Sequence, residues 1–191
     1  MRKDKKQDIL DSARALFARY GMAKTTIDDI VRESRVARST VYSYFSSKED
    51  IFREVIEQEG RMLFFEIDRT LAEARDAADK LRRYTRARMC FIRDLHALYT
   101  VLTDDNHGQY PFIERARKQY LEKEIETIVA ILDEGVDDGL FNVEDTELAA
   151  YTIISAWKGL DLPWTETVSR RDPERCVENL LAILFDGIMK Q

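Results

Sequence analysis

An all-α fold is what this sequence predicts, and three observations predict it. The 191 residues include only seven Gly and three Pro, so few positions break a helix. Apolar residues recur at three- and four-residue intervals along nearly the whole chain, the spacing of one buried helix face. No stretch alternates apolar and polar residues as a half-buried strand would. With 45% hydrophobic and 35% charged residues the chain has enough apolar material for a packed core and is not a disordered or low-complexity segment. The arrangement expected is a three-helix N-terminal head containing a helix-turn-helix, followed by a helical-bundle body, about nine helices in all.

The first helix rests on Ile9, Leu10, Ala13, Leu16, Phe17 and Tyr20, with Gly21 placed as a left-handed C-terminal cap. Thr25 and Thr26 offer N-cap hydroxyls for a short second helix, with Asp28 and Asp29 as capping-box partners and Ile27, Ile30 and Val31 as its apolar stripe. That helix ends near Ser34, and Ser34-Arg35-Val36 makes a tight connection. Arg38 to Phe45 then forms one or two turns with Val41 and Phe45 inward. Ser46 and Glu49 are expected to box the start of a long fourth helix carried by Ile51, Phe52, Val55, Ile56, Met62, Leu63, Ile67 and Leu71.

Another long helix runs from about Lys80 to Leu102, where the polar cluster Thr103 to Gly108 and Pro111 break the pattern. The next spans about Phe112 to Asp137 and stops at Gly139. The last two run from about Thr146 to Leu162, stopped by Pro163, and onward from Asp172 as N-cap with Pro173 at the first position.

Charge is distributed unevenly. Residues 1 to 48 carry eleven Lys/Arg against six Asp/Glu, net +5, and residues 49 to 191 carry nineteen against thirty, net −11, which together give the −6 of the chain. A basic head attracts phosphates while an acidic body is repelled by them, so a duplex would meet the head first. The outward residues of the second short helix, Arg38, Ser39, Thr40, Tyr42, Ser43 and Tyr44, combine phosphate donors with groups able to touch base edges in a major groove. Lys48 stands in the first turn of the next helix, where free backbone N–H groups already favour an anion.

At these residues the chain resembles the TetR family of transcriptional regulators. The resemblance is carried by Ile9-Leu10-Asp11-Ser12-Ala13 with Leu16-Phe17, by Thr25-Thr26-Ile27-Asp28-Asp29-Ile30, and by Thr40-Val41-Tyr42-Ser43-Tyr44-Phe45-Ser46-Ser47-Lys48-Glu49. It implies a dimeric operator binder, usually a repressor released by a small ligand. It implies further that Thr26, Tyr42, Tyr44 and Lys48 meet phosphates while Arg38, Ser39 and Thr40 face the groove. The family usually has Gly where this chain has Arg35, and a left-handed backbone there costs a non-Gly residue roughly 1 kcal/mol. Ala37 replaces the family's Ser at the recognition-helix cap, a loss of roughly 0.5–2 kcal/mol.

The expected division is therefore a DNA-binding domain over residues 1–48 and a ligand-binding and dimerisation domain over residues 49–191. For a pocket among the body helices the candidates are Tyr84, Arg88, Phe91, His96, Tyr99, Tyr110, Tyr120 and Trp157, an aromatic set with a few polar points suited to an apolar or amphipathic ligand. For a two-fold dimer face on the last two helices they are Ile153, Trp157, Leu160, Leu180, Leu184 and Ile188.

Other classes fare poorly. His107 beside Asp104 and Asp105, with His96 and Cys90 upstream, offers no nucleophile–base pairing, and no Gly-rich phosphate loop or metal-ligand spacing accompanies it, so no catalytic site, cofactor or metal is expected. Cys90 and Cys176 lie far apart in apolar helical patterns and are expected to be buried thiols. The N-terminus lacks the apolar core of a secretory signal and no apolar run reaches membrane-spanning length, which points to the cytoplasm. The competing reading is a helical adaptor that has lost operator binding, for which Arg35 and Ala37 are the only support.

Overall fold

A computed structural model describes residues 4–94, 111–161 and 173–189. Those residues form eight helices: α1 (Lys5–Lys24), α2 (Ile27–Ser34), α3 (Arg38–Tyr44), α4 (Lys48–Ala72), α5 (Ala77–Asp94), α6 (Pro111–Asp137), α7 (Thr146–Asp161) and α8 (Pro173–Ile188). Among the described residues the only β pairing is a single antiparallel bridge between Phe141 and Met189. The all-α expectation holds. Two compact units share the chain: one gathers Met1–Met62 with Ile92–Ala116, the other Leu63–Phe91 with Arg117–Gln191. Helix α4 contributes to both.

The first unit is built around α1. Asp4 caps it by accepting from the Lys6 N–H at 3.0 Å, and Ile9, Leu10, Ala13 and Phe17 bury one face. Phe17 meets Phe52 of α4 edge-on at 5.0 Å, and Phe52 meets Phe112 of α6 in the same way at 6.3 Å. Glu59, on the inner face of α4, is buried and sits 3.6 Å from Arg14.

Gly21 does not end α1 as a simple left-handed cap. Its φ of 77° and ψ of 160° lie in a region open essentially only to glycine, and they bend the run so that one more turn reaches Lys24. Thr25 closes this turn, its N–H and hydroxyl both donating to the Gly21 carbonyl, at 3.3 and 2.9 Å. Because Thr25 is buried in that role, Thr26 alone caps α2. The Asp29 N–H donates to the Thr26 hydroxyl at 3.2 Å, and the Thr26 N–H donates back to Asp29 Oδ2 at 3.0 Å, a full capping box. The hydrogen bonds from the Thr26 hydroxyl and backbone hold the Asp29 carboxyl below its ordinary pKa, so this cap contributes most at neutral pH and is lost as acid protonates it.

Between α2 and α3, Arg35 takes φ 55° and ψ 26°, the left-handed conformation anticipated for this turn. Arg35→Gly is expected to raise stability by about 0.5 kcal/mol, the relief of strain less the extra chain entropy that glycine gives the unfolded state. The urea midpoint checks this; an unchanged or lowered midpoint would mean the turn carries no strain. Ala37 precedes α3 and makes no side-chain cap bond. What holds this short helix is burial of Val41 and Phe45.

The N-cap of α4 lies one residue later than the Ser46–Glu49 pair expected, and its bonds are box-like without being reciprocal, because Asp50 accepts from the residue before the cap. Since the helix begins at Lys48, Ser47 is its N-cap and Asp50 its third residue: the Asp50 N–H donates to Ser47 Oγ at 3.1 Å, and the Ser46 N–H donates to Asp50 Oδ2 at 3.2 Å.

In the second unit Leu81 and Tyr84 of α5, Ile128, Ile131 and Leu132 of α6, Ala150, Ile154 and Trp157 of α7, and Leu181 and Phe185 of α8 are buried. Gly139, at φ 70°, ends α6 as expected, and the chain then folds back on the helix. The Leu140 and Phe141 N–H groups both donate to the Gly135 carbonyl, at 2.8 and 2.9 Å. A Cβ on residue 135 would stand 2.0 Å from Phe141 Cδ2, so the ring occupies the place of the missing side chain.

Candidate DNA-binding surface and effector cluster

On α3 the side chains divide as the spacing requires. Val41 and Phe45 point inward; Arg38, Ser39, Tyr42, Ser43 and Tyr44 are exposed, and Thr40 is half-buried. Tyr42 and Tyr44 expose 46% and 47% of their surface, which sets them apart from the packed aromatics of the core and leaves their hydroxyls available to phosphate oxygens. Ser43 is less available, since its hydroxyl donates to the Thr40 carbonyl at 2.7 Å.

Three of the expected contact residues have partners within the protein, and two of these partners, for Arg38 and Lys48, sequence spacing did not reveal. The Arg38 guanidinium pairs with Asp28, in the first turn of α2, and lies 5.6 Å over the Tyr42 ring. The Thr26 hydroxyl donates to Asp29 Oδ2 at 2.6 Å, so it serves the cap of α2 before anything else. Lys48 Nζ donates to the Met22 carbonyl at 2.9 Å, just past the bend at Gly21. An ammonium has three donors, so this bond fixes the Lys48 side chain and leaves it able to meet a phosphate.

In the second unit a polar cluster is sealed inside the core. Tyr84 and Trp157 are both 0% exposed, their rings stacked at 5.5 Å with 25° between planes. The Arg88 guanidinium lies 5.5 Å over the Trp157 ring and forms a buried ion pair with Glu124 of α6. Burial first, and the Glu124 charge second, push the Tyr84 hydroxyl well above its ordinary pKa, so it stays protonated and able to donate. Three of the pocket candidates, Tyr84, Arg88 and Trp157, thus come together, and Glu124 is the member that sequence reasoning missed.

Tyr120 stands apart from them, half-buried and stacked on Phe64 at 5.6 Å. His96, Tyr99 and Tyr110 lie outside the described residues, as do the side chains of Phe91 and Leu160. A separate groove of about 460 Å³ is lined by Asp68, Leu71, Lys80, Thr127, Ile131 and Glu134 among others, and includes none of the predicted pocket residues.

The dimer face needs correction at two positions. Ile153 is 6% exposed and Trp157 fully buried, because both lie on the stripe of α7 that packs into their own unit. Among the described residues the exposed large apolar side chains of the last two helices are instead Leu148, Tyr151 and Ile183, with Leu180, Leu184 and Ile188 partly exposed.

Residues 9–55 match the family model for bacterial regulatory proteins of the tetR family. YfiR, an uncharacterized HTH-type transcriptional regulator of Bacillus subtilis, is 32% identical over 149 residues, covering 73% of this chain and 69% of the relative. The chain belongs to the TetR family. A second relative of this TetR-family protein is KstR2, an HTH-type transcriptional repressor of Mycolicibacterium smegmatis, 26% identical over 190 residues that cover 96% of this chain and 90% of the relative. The fold matches a transcriptional regulator from Saccharomonospora viridis, solved in complex with choline, at a TM-score of 0.84, with 21% identity and coverage of 97% and 98% of the two chains. These relatives bear the names of regulators rather than enzymes, and the TetR-family chain described here is a DNA-binding transcriptional regulator. Among its described residues no helix is long and apolar enough to cross a membrane.

Proposed function

We propose that this TetR-family regulator is a cytoplasmic homodimeric repressor, released from a palindromic operator by a small apolar or amphipathic ligand. The observation that carries the reading is the outward face of α3, where Arg38, Ser39, Tyr42 and Tyr44 are exposed on a helix anchored by Val41 and Phe45. On this reading α3 enters the major groove, Arg38, Ser39 and Thr40 face base edges, and Thr26, Tyr42, Tyr44 and Lys48 meet phosphates.

The exposed apolar residues Leu148, Tyr151 and Ile183 support pairing of α7 and α8 with the same helices of a second copy, which would bury them in a four-helix bundle. Two heads joined in this way address half-sites roughly 34–36 Å apart. The head is residues 1–48 and the ligand-binding and dimerising body residues 49–191. The ligand acts by favouring a dimer arrangement in which the two recognition helices no longer match that spacing, with α4 as the connecting element.

Selection of genomic fragments by the purified protein, followed by titration of the best fragment at two salt concentrations, tests the reading. The expected result is a palindromic site whose log affinity falls against log salt with a slope of roughly −0.9 per phosphate neutralised. Lys48→Ala should make that slope shallower by about one while weakening all sequences alike. A folded dimer that enriches no fragment would favour the adaptor reading.

A further inference from the structure

The cluster of Tyr84, Arg88, Glu124 and Trp157 carries more information than its burial. Neither the Tyr84 hydroxyl nor the Trp157 indole N–H has a hydrogen-bond partner among the described residues, although both side chains are 0% exposed. Buried polar groups are nearly always paired, and leaving one unsatisfied is costly, so two orphans on a single stacked pair of rings mark a place built to receive something. The indole N–H can only donate, and a phenol at neutral pH donates its proton when an acceptor is offered. What this pair lacks is therefore lone pairs, not hydrogens.

Charge narrows the class further. Among the described residues Arg88 and Glu124 neutralise each other inside the core, at 1% and 4% exposure, so the four side chains of the cluster together carry no net charge. A carboxylate entering it would sit beside Glu124, and an ammonium beside Arg88, each without a free counter-charge and at the full cost of burying an ion. A neutral oxygen avoids this cost while accepting from both donors. About one turn away on the same helices, Leu81, Ile128 and Ile154 are buried and apolar, which suits a hydrocarbon skeleton.

We infer that the effector is an uncharged, largely hydrocarbon molecule bearing a carbonyl or hydroxyl oxygen, and that the Tyr84 hydroxyl and Trp157 indole N–H are the donors that receive that oxygen. The inference rests on the ligand-responsive reading above and names the chemistry of its ligand. Tyr84 is the one of the two donors that can be removed alone, because loss of its hydroxyl leaves the ring stack in place.

The test uses two sets of probes that share a skeleton and differ only in one group: octane, 2-octanone, octanoate and octylammonium, and decalin, 2-decalone, decalin-2-carboxylate and 2-aminodecalin. Binding is followed by the fluorescence of Trp157 in a Trp164→Phe background, which leaves it the single tryptophan of the chain. In at least one set the ketone is expected to bind about thirtyfold more tightly than the hydrocarbon, the worth of two net hydrogen bonds, and at least tenfold more tightly than either ion. Tyr84→Phe should cut the advantage of the ketone to roughly fivefold, the share of the remaining Trp157 donor, and leave the hydrocarbon unaffected, with a thermal midpoint showing that the variant is folded.

The proposal is overturned if an ion is the tightest member of both sets, if Tyr84→Phe leaves the size of the ketone's advantage over the hydrocarbon unaltered, or if no probe binds. Operator affinity measured with and without the tightest probe separates this from the underlying reading. An ion that binds best and releases the operator sinks the neutral ligand but keeps the ligand-responsive repressor, whereas a ketone that binds as expected without touching operator affinity sinks the repressor reading.

Discussion

Arg88→Leu is expected to destabilise the protein by about 3–5 kcal/mol at neutral pH, read from urea unfolding, because it strips the buried Glu124 carboxylate of its guanidinium. Replacing both partners, Arg88→Leu with Glu124→Leu, should recover most of the stability, since no charge then has to be buried. The double variant separates two roles for the pair. If it is stable but its Trp157 no longer distinguishes probes by charge, the pair exists for recognition rather than for folding. A single Arg88→Leu variant as stable as the parent would show that Glu124 finds another way to be neutralised.

On the DNA side the largest effect is expected at Arg38. Arg38→Ala should weaken operator binding by about 1–3 kcal/mol, or roughly 5- to 150-fold, and flatten preference at the base it reads while changing affinity for a scrambled duplex much less. Its partner sharpens the test. Because Arg38 is paired with Asp28 in the free protein, engaging a base edge requires it to leave a carboxylate that the duplex itself repels. Asp28→Asn should therefore tighten binding to the operator more than to scrambled DNA, since only the operator offers the base edge for which Arg38 leaves the carboxylate, so that affinity and discrimination rise together. Equal tightening on both duplexes would make Asp28 a simple source of repulsion, and an unaltered Arg38→Ala affinity would make Arg38 a solvated side chain.

Most of the fold was legible because its signals are local. The stripe of α1, the Thr26–Asp29 box and the inward pair Val41 and Phe45 all act within one or two helical turns, and the left-handed Arg35 followed from a comparison at a single position. Contacts between distant positions were not legible. The Arg38–Asp28 pair and the Lys48 bond to the Met22 carbonyl join residues ten and twenty-six apart, and no spacing rule reaches across a turn or a bend. Glu124 did leave a trace. It sits four residues before Ile128 and seven before Ile131 on the buried stripe of α6, as Glu59 sits among Phe52, Val55, Ile56 and Leu63 on α4, and both prove to be paired in the core. A carboxylate in register with an apolar stripe was the signal to follow. The dimer candidates failed at Ile153 and Trp157 for the reverse reason: two apolar faces meet on one helix, and periodicity alone does not say which of them a helix turns inward.

The ring of Phe141 filling the space beside Gly135 has a consequence that reaches past this one molecule. Side chains at 135 and 141 compete for a single volume, so the two positions evolve as one: a relative that acquires alanine at 135 must carry something shorter than a phenyl ring at 141, and a relative that keeps the ring must keep the glycine. Between them the chain makes its return along α6 with both N–H groups of Leu140 and Phe141 on one carbonyl, which leaves no slack for an insertion. In an alignment of close relatives, the six-residue interval should therefore be invariant in length even where its sequence drifts.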